Sequence, residues 1–205
     1  MKKLYLLPPS EGKAWGWIDA SMSRFFDLPV PHEIVKNATP KDLKCTGKRY
    51  EEAMLLNQTI ASSLVLPAMQ RYTGVLYTAL GYATMTSEQQ QWIDKHVLIL
   101  SWMFGVVKPT DLIPNYKLPI ETQWLRAYRL TQCTDALIAY CQKNEVDEII
   151  DLLPGSYQRM IDWKRIHKSS LKHTIPDLSF AWRVTHMIKA TRWVWLREES
   201  MRIEN

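Results

Sequence analysis

The chain has 205 residues, 46% of them hydrophobic, and a formal net charge of +5 at pH 7, which fits one domain with a sizeable core and excludes low-complexity and disordered classes. No apolar run is long enough to span a bilayer, and the apolar start Leu4-Tyr-Leu-Leu7 stops at Pro8-Pro9, too soon for a signal-peptide core. The expectation is a single cytoplasmic domain over residues 1–205, without membrane contact, and with a basic balance that suits an anionic partner.

Lys3-Leu-Tyr-Leu-Leu7 reads as a buried strand. After Pro8-Pro9 comes Ser10-Glu-Gly-Lys13, a Gly-Lys loop of the kind that cradles an anion, although the spacing of a P-loop is absent. Residues 14–38 read as irregular, with Trp15, Trp17, Phe25 and Phe26 expected on the core. Residues 39–58 read as two helical pieces around a turn. Thr39-Pro40 supplies an N-cap and a first-turn proline, Gly47 marks the turn, and Ala53, Leu55 and Leu56 are expected to face inward. Lys41, Lys44, Lys48 and Arg49 surround that turn. The segment is either a helix-hairpin-helix-like element gripping a phosphate backbone or a plain helical hairpin, with Cys45 where a second hairpin glycine is usual. Residues 59–72 are expected to stay helical, Thr73–Thr78 to be a short strand with Tyr77 as a polar handle, and Thr86 to cap a helix.

His96-Val-Leu-Ile-Leu100 is a second apolar run suited to a buried strand. It delivers the stretch 101–118, which holds Ser101, Gly105, Lys108, Asp111, Tyr116 and Lys117 and is broken by Pro109 and Pro114. That stretch is expected to be one stiff cationic loop, either functional or simply a structural turn. Residues 123–143 read as an amphipathic helix with Trp124, Tyr128, Ala136, Leu137 and Tyr140 inward. Glu148–Leu153 reads as a strand leading to Pro154-Gly-Ser-Tyr157, Leu178–Val184 as a late strand, and 187–203 as a closing basic helix. The pattern is α/β, with a mixed sheet flanked by helices. Loops at 8–13, 105–118 and 154–157 each follow a strand, so parallel strands would bring them to one crevice.

Residues 155–205 carry ten basic and five acidic side chains, interleaved with Tyr157, Trp163, Trp182, Trp193 and Trp195. Cations beside flat rings suit nucleic acid or nucleotides, or else a solvated basic face over buried tryptophans. Cys45, Cys133 and Cys141 are too few and too widely spaced for a disulfide framework. No Cys-x-x-Cys or His-Glu-x-x-His pattern is present, and His32, His96, His167 and His173 are scattered, so no metal and no cofactor are expected.

Leu7-Pro-Pro-Ser-Glu-Gly-Lys13, Tyr72–Leu80, Leu100–Leu118 and Asp151-Leu-Leu-Pro-Gly-Ser-Tyr157 together resemble the YaaA peroxide-stress protein family. The chain is shorter than the better-known members, and Ile188-Lys-Ala-Thr-Arg-Trp193 only approximates a Lys-Lys-Ala-Arg-Gly-type motif of their C-terminal extension. The resemblance implies a compact α/β fold with a basic cleft, DNA binding through a helix-hairpin-helix element, and protection against peroxide by limiting free intracellular iron. It carries cleft roles onto Ser10, Lys13, Tyr77, Ser101, Gly105, Lys108, Asp111, Tyr116, Lys117 and Tyr157, and hairpin roles onto Lys44, Gly47, Lys48 and Arg49. Two functions follow as expectations: a DNA-binding peroxide-stress protein without sequence preference, or an enzyme acting on a nucleotide or other phosphate-bearing small molecule in the same cleft. In the second, Lys13 and Lys108 hold the anion, Asp111 or Tyr157 is acid or base, and Ser10 orients the substrate.

Overall fold

The computed structural model describes residues 1–22, 36–119, 125–177 and 187–202. Its strands are β1 (Lys3–Leu7), β2 (Val65–Pro67), β3 (Val97–Ser101), β4 (Gly105–Val107), β5 (Leu112–Pro114), β6 (Glu148–Asp151) and β7 (Lys172–Thr174). Its helices are α1 (Pro40–Leu43), α2 (Lys48–Gln58), α3 (Ala68–Arg71), α4 (Val75–Leu80), α5 (Ser87–His96), α6 (Arg126–Lys143), α7 (Gly155–Gln158), α8 (Trp163–Lys168) and α9 (Met187–Met201). None of the helices is long and apolar enough to cross a membrane.

The main sheet runs β4-β3-β1-β6-β7, as the mixed α/β reading expects. Its strands β3, β1, β6 and β7 are parallel, and β4 turns back antiparallel on β3. The apolar runs are continuous because both faces of the sheet are covered. Tyr5, Leu7, Val97, Ile99 and Ile150 enter a core shared with α4, α5 and α9. Their neighbours Leu4, Leu6, Leu98, Leu100 and Ile149 enter a second core with α6 and α8. That alternation locks the register, since a one-residue slip would exchange the two cores. A small antiparallel pair, β2 with β5, stands beside the sheet.

Several local expectations change. Residues 59–72 leave the helix after Gln58 and form a short 3-10 turn, β2 and α3. Thr73–Thr78 is helical from Val75 on, because Gly74, at φ +108, turns the chain into α4 and the apolar face of α4 packs into the core. Trp15 and Trp17 are 82% and 67% exposed, since the extended segment around them is bridged to β2 and Tyr72 with both rings outward. In α2 the buried stripe is Ala53 and Asn57 with Leu56 beside it, which puts Leu55 outside. In α6 the stripe is Arg129, Cys133, Leu137 and Cys141, one residue per turn, while Tyr128 and Ala136 face solvent and Tyr140 is half-buried. Burial pushes both thiols up to about 12. Phe25, Phe26, His32, Trp124 and the expected strand Leu178–Val184 lie outside the described residues.

The loops at the carboxyl ends of the parallel strands have no ladder to satisfy their carbonyls, and three arginines do so instead. Arg71, fully buried, donates to the carbonyls of Ala14 (2.5 Å), Leu64 (2.7 Å) and Ile113 (3.1 Å). Arg129, also fully buried, donates to the carbonyls of Trp102 (2.8 Å) and Met103 and to the Gln132 amide oxygen. Arg192 on α9 donates to the carbonyls of Leu152 (3.1 Å) and Leu153 (3.3 Å). Arg129 and Arg192 thus hold the segments after β3 and β6, and Arg71 ties the segment after Lys13 to the β2–β5 pair, tasks that suit five rigid donors on one side chain.

Replacing Arg71 by Met strands three carbonyls, so Arg71→Met is expected to cost on the order of 3 kcal/mol or more. In a domain of this size that lowers the melting temperature by roughly 10 °C. Thermal melting followed by circular dichroism checks it, with Leu55→Ala as a surface control expected to stay within about 0.5 kcal/mol of the parent.

Candidate functional site

Because β1, β3 and β6 are parallel, their carboxyl ends share one edge of the sheet. The segments that leave them meet there and line a small cleft. Ser10, Glu11 and Lys13 come from the loop after β1, Tyr157 from α7 after β6, and Trp102 from the turn after β3. Tyr116 and Lys117 arrive from the segment after β5 and close the lining.

Hydroxyl groups build the wall behind. The Tyr116 hydroxyl lies 2.9 Å from that of Tyr72 and 3.0 Å from Ser101 Oγ. Ser101 Oγ in turn accepts the backbone N–H groups of Met103 and Phe104 at 3.2 Å. The Tyr77 hydroxyl donates to the Pro8 carbonyl at 2.9 Å, and Ser10 Oγ donates to the Thr73 carbonyl. Tyr77 and Ser101 are therefore supports of the cleft loops rather than part of the lining. Burial raises the Tyr116 and Tyr157 phenols above their ordinary range, so both remain protonated donors at neutral pH.

Lys13 is the unusual charge. Its Nζ sits 4.1 Å from the centre of the Tyr116 ring and donates to the carbonyls of Ser10 and Glu11 at 3.3 Å. No carboxylate among the described residues is within ion-pair distance of it. Desolvation, helped by the Lys117 and Arg71 cations and opposed by the Glu11 carboxylate, pushes Lys13 down to about 7. The indole N–H of Trp102, a residue of the lining, is buried without a hydrogen-bond partner.

The stretch 101–118 does not form one loop. After Gly105, at φ +77 and packed against Gln132, β4 runs back along β3 toward the amino end of the sheet. Lys108 ends there, 5.9 Å from the Tyr140 ring of α6. Asp111 accepts the Lys108 N–H at 2.7 Å, its carbonyl accepts the Ala68 N–H at 2.8 Å, and it closes the turn into β5. Neither lines the cleft, so the anion-holding role expected of Lys108 and the acid–base role expected of Asp111 do not fit their positions. Tyr116, Lys117 and Leu118, beyond β5, return to the cleft.

The hairpin of residues 39–58 forms as two helices around a turn. Thr39 and Asp42 make a capping box on α1, Lys44 ends it at φ +51, and Gly47, at φ +57, precedes α2. Lys44 and Arg49 line a second, larger cavity, which shares Glu11 and Lys117 with the cleft. Gly47 and Lys48 stay at the exposed turn. The fully buried Asn57 of α2 clamps the backbone of Lys117, donating to its carbonyl at 2.8 Å and accepting its N–H at 2.9 Å. Glu11 and Lys117 pair across the junction at 3.7 Å.

The sequence gives no sign of Asn57, Tyr72 or the three arginines as site supports, because each acts on backbone from a distant element. The basic aromatic C-terminal region is also used differently. Trp193 packs on Tyr77, Trp195 on Tyr5 and Trp163 on His173, while Arg197 donates to the Leu80 carbonyl. Those rings serve the interior, and Tyr157 alone of the group lines the cleft. Trp182 and Arg183 lie outside the described residues.

Comparison with known proteins gives one family. A family model described as "Peroxide stress protein YaaA" matches residues 27–192. A UPF0246 protein of Corynebacterium efficiens is 34% identical over 183 residues, which cover 77% of this chain and 69% of that protein. UPF0246 proteins of Finegoldia magna and Streptomyces coelicolor are 26% and 32% identical over 68% and 56% of this chain, and over 56% and 49% of their own lengths.

Lys13 is a cation below about pH 7 and a free amine above it, whereas ordinary lysines stay charged to about pH 10. Acylation by an amine-selective reagent, read by peptide mapping, is expected to reach half its maximal rate at Lys13 near pH 7. Lys117→Met removes a repelling charge and should move that midpoint upward, and Glu11→Gln should move it downward. A Lys13 midpoint near that of the surface lysines would contradict the assignment.

Proposed function

The chain belongs to the peroxide stress protein YaaA family, and from that premise we propose that it binds DNA without base preference along a groove running from the helical hairpin into the cleft. In this reading it acts in the peroxide stress response, limiting oxidative damage and free intracellular iron. The observation that carries the DNA assignment is the continuity of the two cavities. Lys44 and Arg49 line one, Lys13 lines the other, and Lys117 belongs to both. Cations strung along a groove suit a repeating phosphate backbone, and such contacts position a duplex without reading its sequence. The Asn57 clamp on Lys117 fixes the hairpin relative to the cleft, so both ends of the groove can engage one strand. The iron-limiting role enters from the family resemblance, with no residue of this chain assigned to it.

A second reading places a phosphate-bearing small molecule in the cleft alone and gives the protein an enzymatic role. The small enclosed volume and a lysine without a carboxylate partner favour it. Under it, Tyr157 and Ser10 are the polar groups nearest the ligand.

Binding to a short labelled duplex across a salt series separates the two. If four cations engage phosphates, affinity should fall roughly a hundredfold between about 50 and 200 mM salt. The Lys44→Ala, Arg49→Ala pair should reduce the logarithmic salt slope by about two. Salt-insensitive or absent duplex binding, with nucleotides or phosphate esters still bound, would favour the second reading.

A further inference from the structure

Lys13 has properties that a phosphate grip does not need. A grip is best served by a permanent charge, as arginine or an exposed lysine supplies. Here the amine lies under the Tyr116 ring, within ion-pair distance of no carboxylate among the described residues, and donates to the carbonyls of Ser10 and Glu11. It lines the cleft together with Tyr157, Glu11 and Lys117. An amine in a recess whose lining also holds an acid, a base and a second cation has the groups needed for attack on a carbonyl carbon.

We propose that Lys13 forms a covalent imine with the open-chain aldehyde of an abasic deoxyribose in DNA. The inference rests on the DNA reading of the same groove, and it names the damaged nucleotide that the cleft would take. The Lys13 Nζ lone pair adds to C1′ to give a carbinolamine. The C1′ hydroxyl then takes a proton from the Tyr157 hydroxyl and leaves as water, and an iminium remains. Tyr157 regains its proton from solvent. The Glu11 carboxylate accepts a proton from C2′, the electron pair of that bond forms the C2′–C3′ double bond, and the C3′–O bond breaks. The 3′-phosphate departs with the C3′–O electron pair as a phosphomonoester, next to Lys117, and Glu11 releases its proton to solvent. Water hydrolyses the conjugated iminium, returning the amine and an unsaturated aldehyde on the 5′ fragment. No oxidant, reductant or metal enters the balance. Desolvation of Lys13 supports the scheme, because only the neutral amine adds to a carbonyl.

The test uses the full chain, a labelled duplex with one abasic site, the same duplex intact, and sodium cyanoborohydride to reduce an imine to a stable amine. The expected result is a denaturation-resistant adduct with the abasic duplex alone, mapped by mass spectrometry to Lys13. Mapping on the unaltered protein does not depend on a variant folding. In addition, Lys13→Arg keeps a cation but has no neutral amine, and it should lose the adduct by more than about tenfold at protein concentrations that saturate its own binding. Binding of both duplexes without an adduct, or an adduct on another amine, would overturn the inference and leave the DNA reading standing. Failure to bind either duplex would overturn both. An adduct formed with free deoxyribose 5-phosphate but not with DNA would overturn this inference in favour of a small-molecule carbonyl substrate.

Discussion

Backbone carbonyls that no strand ladder can satisfy are the constraint on which the rest of this molecule depends. A parallel sheet sends its loops away from the carboxyl edge, and buried carbonyls there need donors. Arg129 and Arg192 provide them after β3 and β6, and Arg71 ties Ala14 beyond β1 to Leu64 and Ile113 of the β2–β5 region. An arginine is suited to this because its planar fork reaches several acceptors at once with little further loss of freedom. The loops are thereby as fixed as the strands that deliver them, and the side chains they carry are held in place before any ligand arrives.

The same device sets the electrostatics. Arg71 and Arg129 are buried against carbonyl dipoles rather than carboxylates, so their charge is only partly compensated. Arg71 and Lys117 oppose ionisation of Lys13, and desolvation opposes it more strongly still. Glu11 is the one carboxylate of the described cleft lining, and it turns toward Lys117. The result is a recess that holds one of its own amines close to neutrality. Structural and chemical roles share residues here: the arginine that shapes the first loop also depresses the lysine carried on it.

Coupling between hairpin and cleft comes from one side chain. Asn57 is buried in α2 and pairs with both backbone groups of Lys117. Beside it, the hairpin's own small core of Ala38, Leu43 and Ala53 meets the main body at Leu118. The clamp sets the position of Lys117, which lines both neighbouring cavities. It also places the Glu11–Lys117 pair at the junction, where a phosphate would compete with the carboxylate for the lysine. An exposed pair of that kind is weak enough to be displaced.

The sequence by itself determined the layers and their order. Apolar runs at Lys3–Leu7, Val97–Leu100 and Glu148–Leu153 became the central parallel strands because runs that short and that apolar are stable only when covered on both faces. Thr39, Thr86 and Gly47 marked helix boundaries because capping is local chemistry. Ser10, Lys13, Tyr116, Lys117 and Tyr157 were named as candidates through the family resemblance, on loops that the strand pattern expected to share one crevice. The tertiary structure decided what distance along the chain conceals. It sent Lys108 and Asp111 to the far end of the sheet, since an antiparallel return reverses direction within three residues. It turned Thr73–Thr78 from strand to helix, exposed Trp15 and Trp17, and drew the tryptophans and arginines of α9 inward, because packing against remote elements outweighs local propensity. It alone set the ionisation of Lys13, which depends on burial and on charges brought near by folding, and neither is written in the residues adjacent to it.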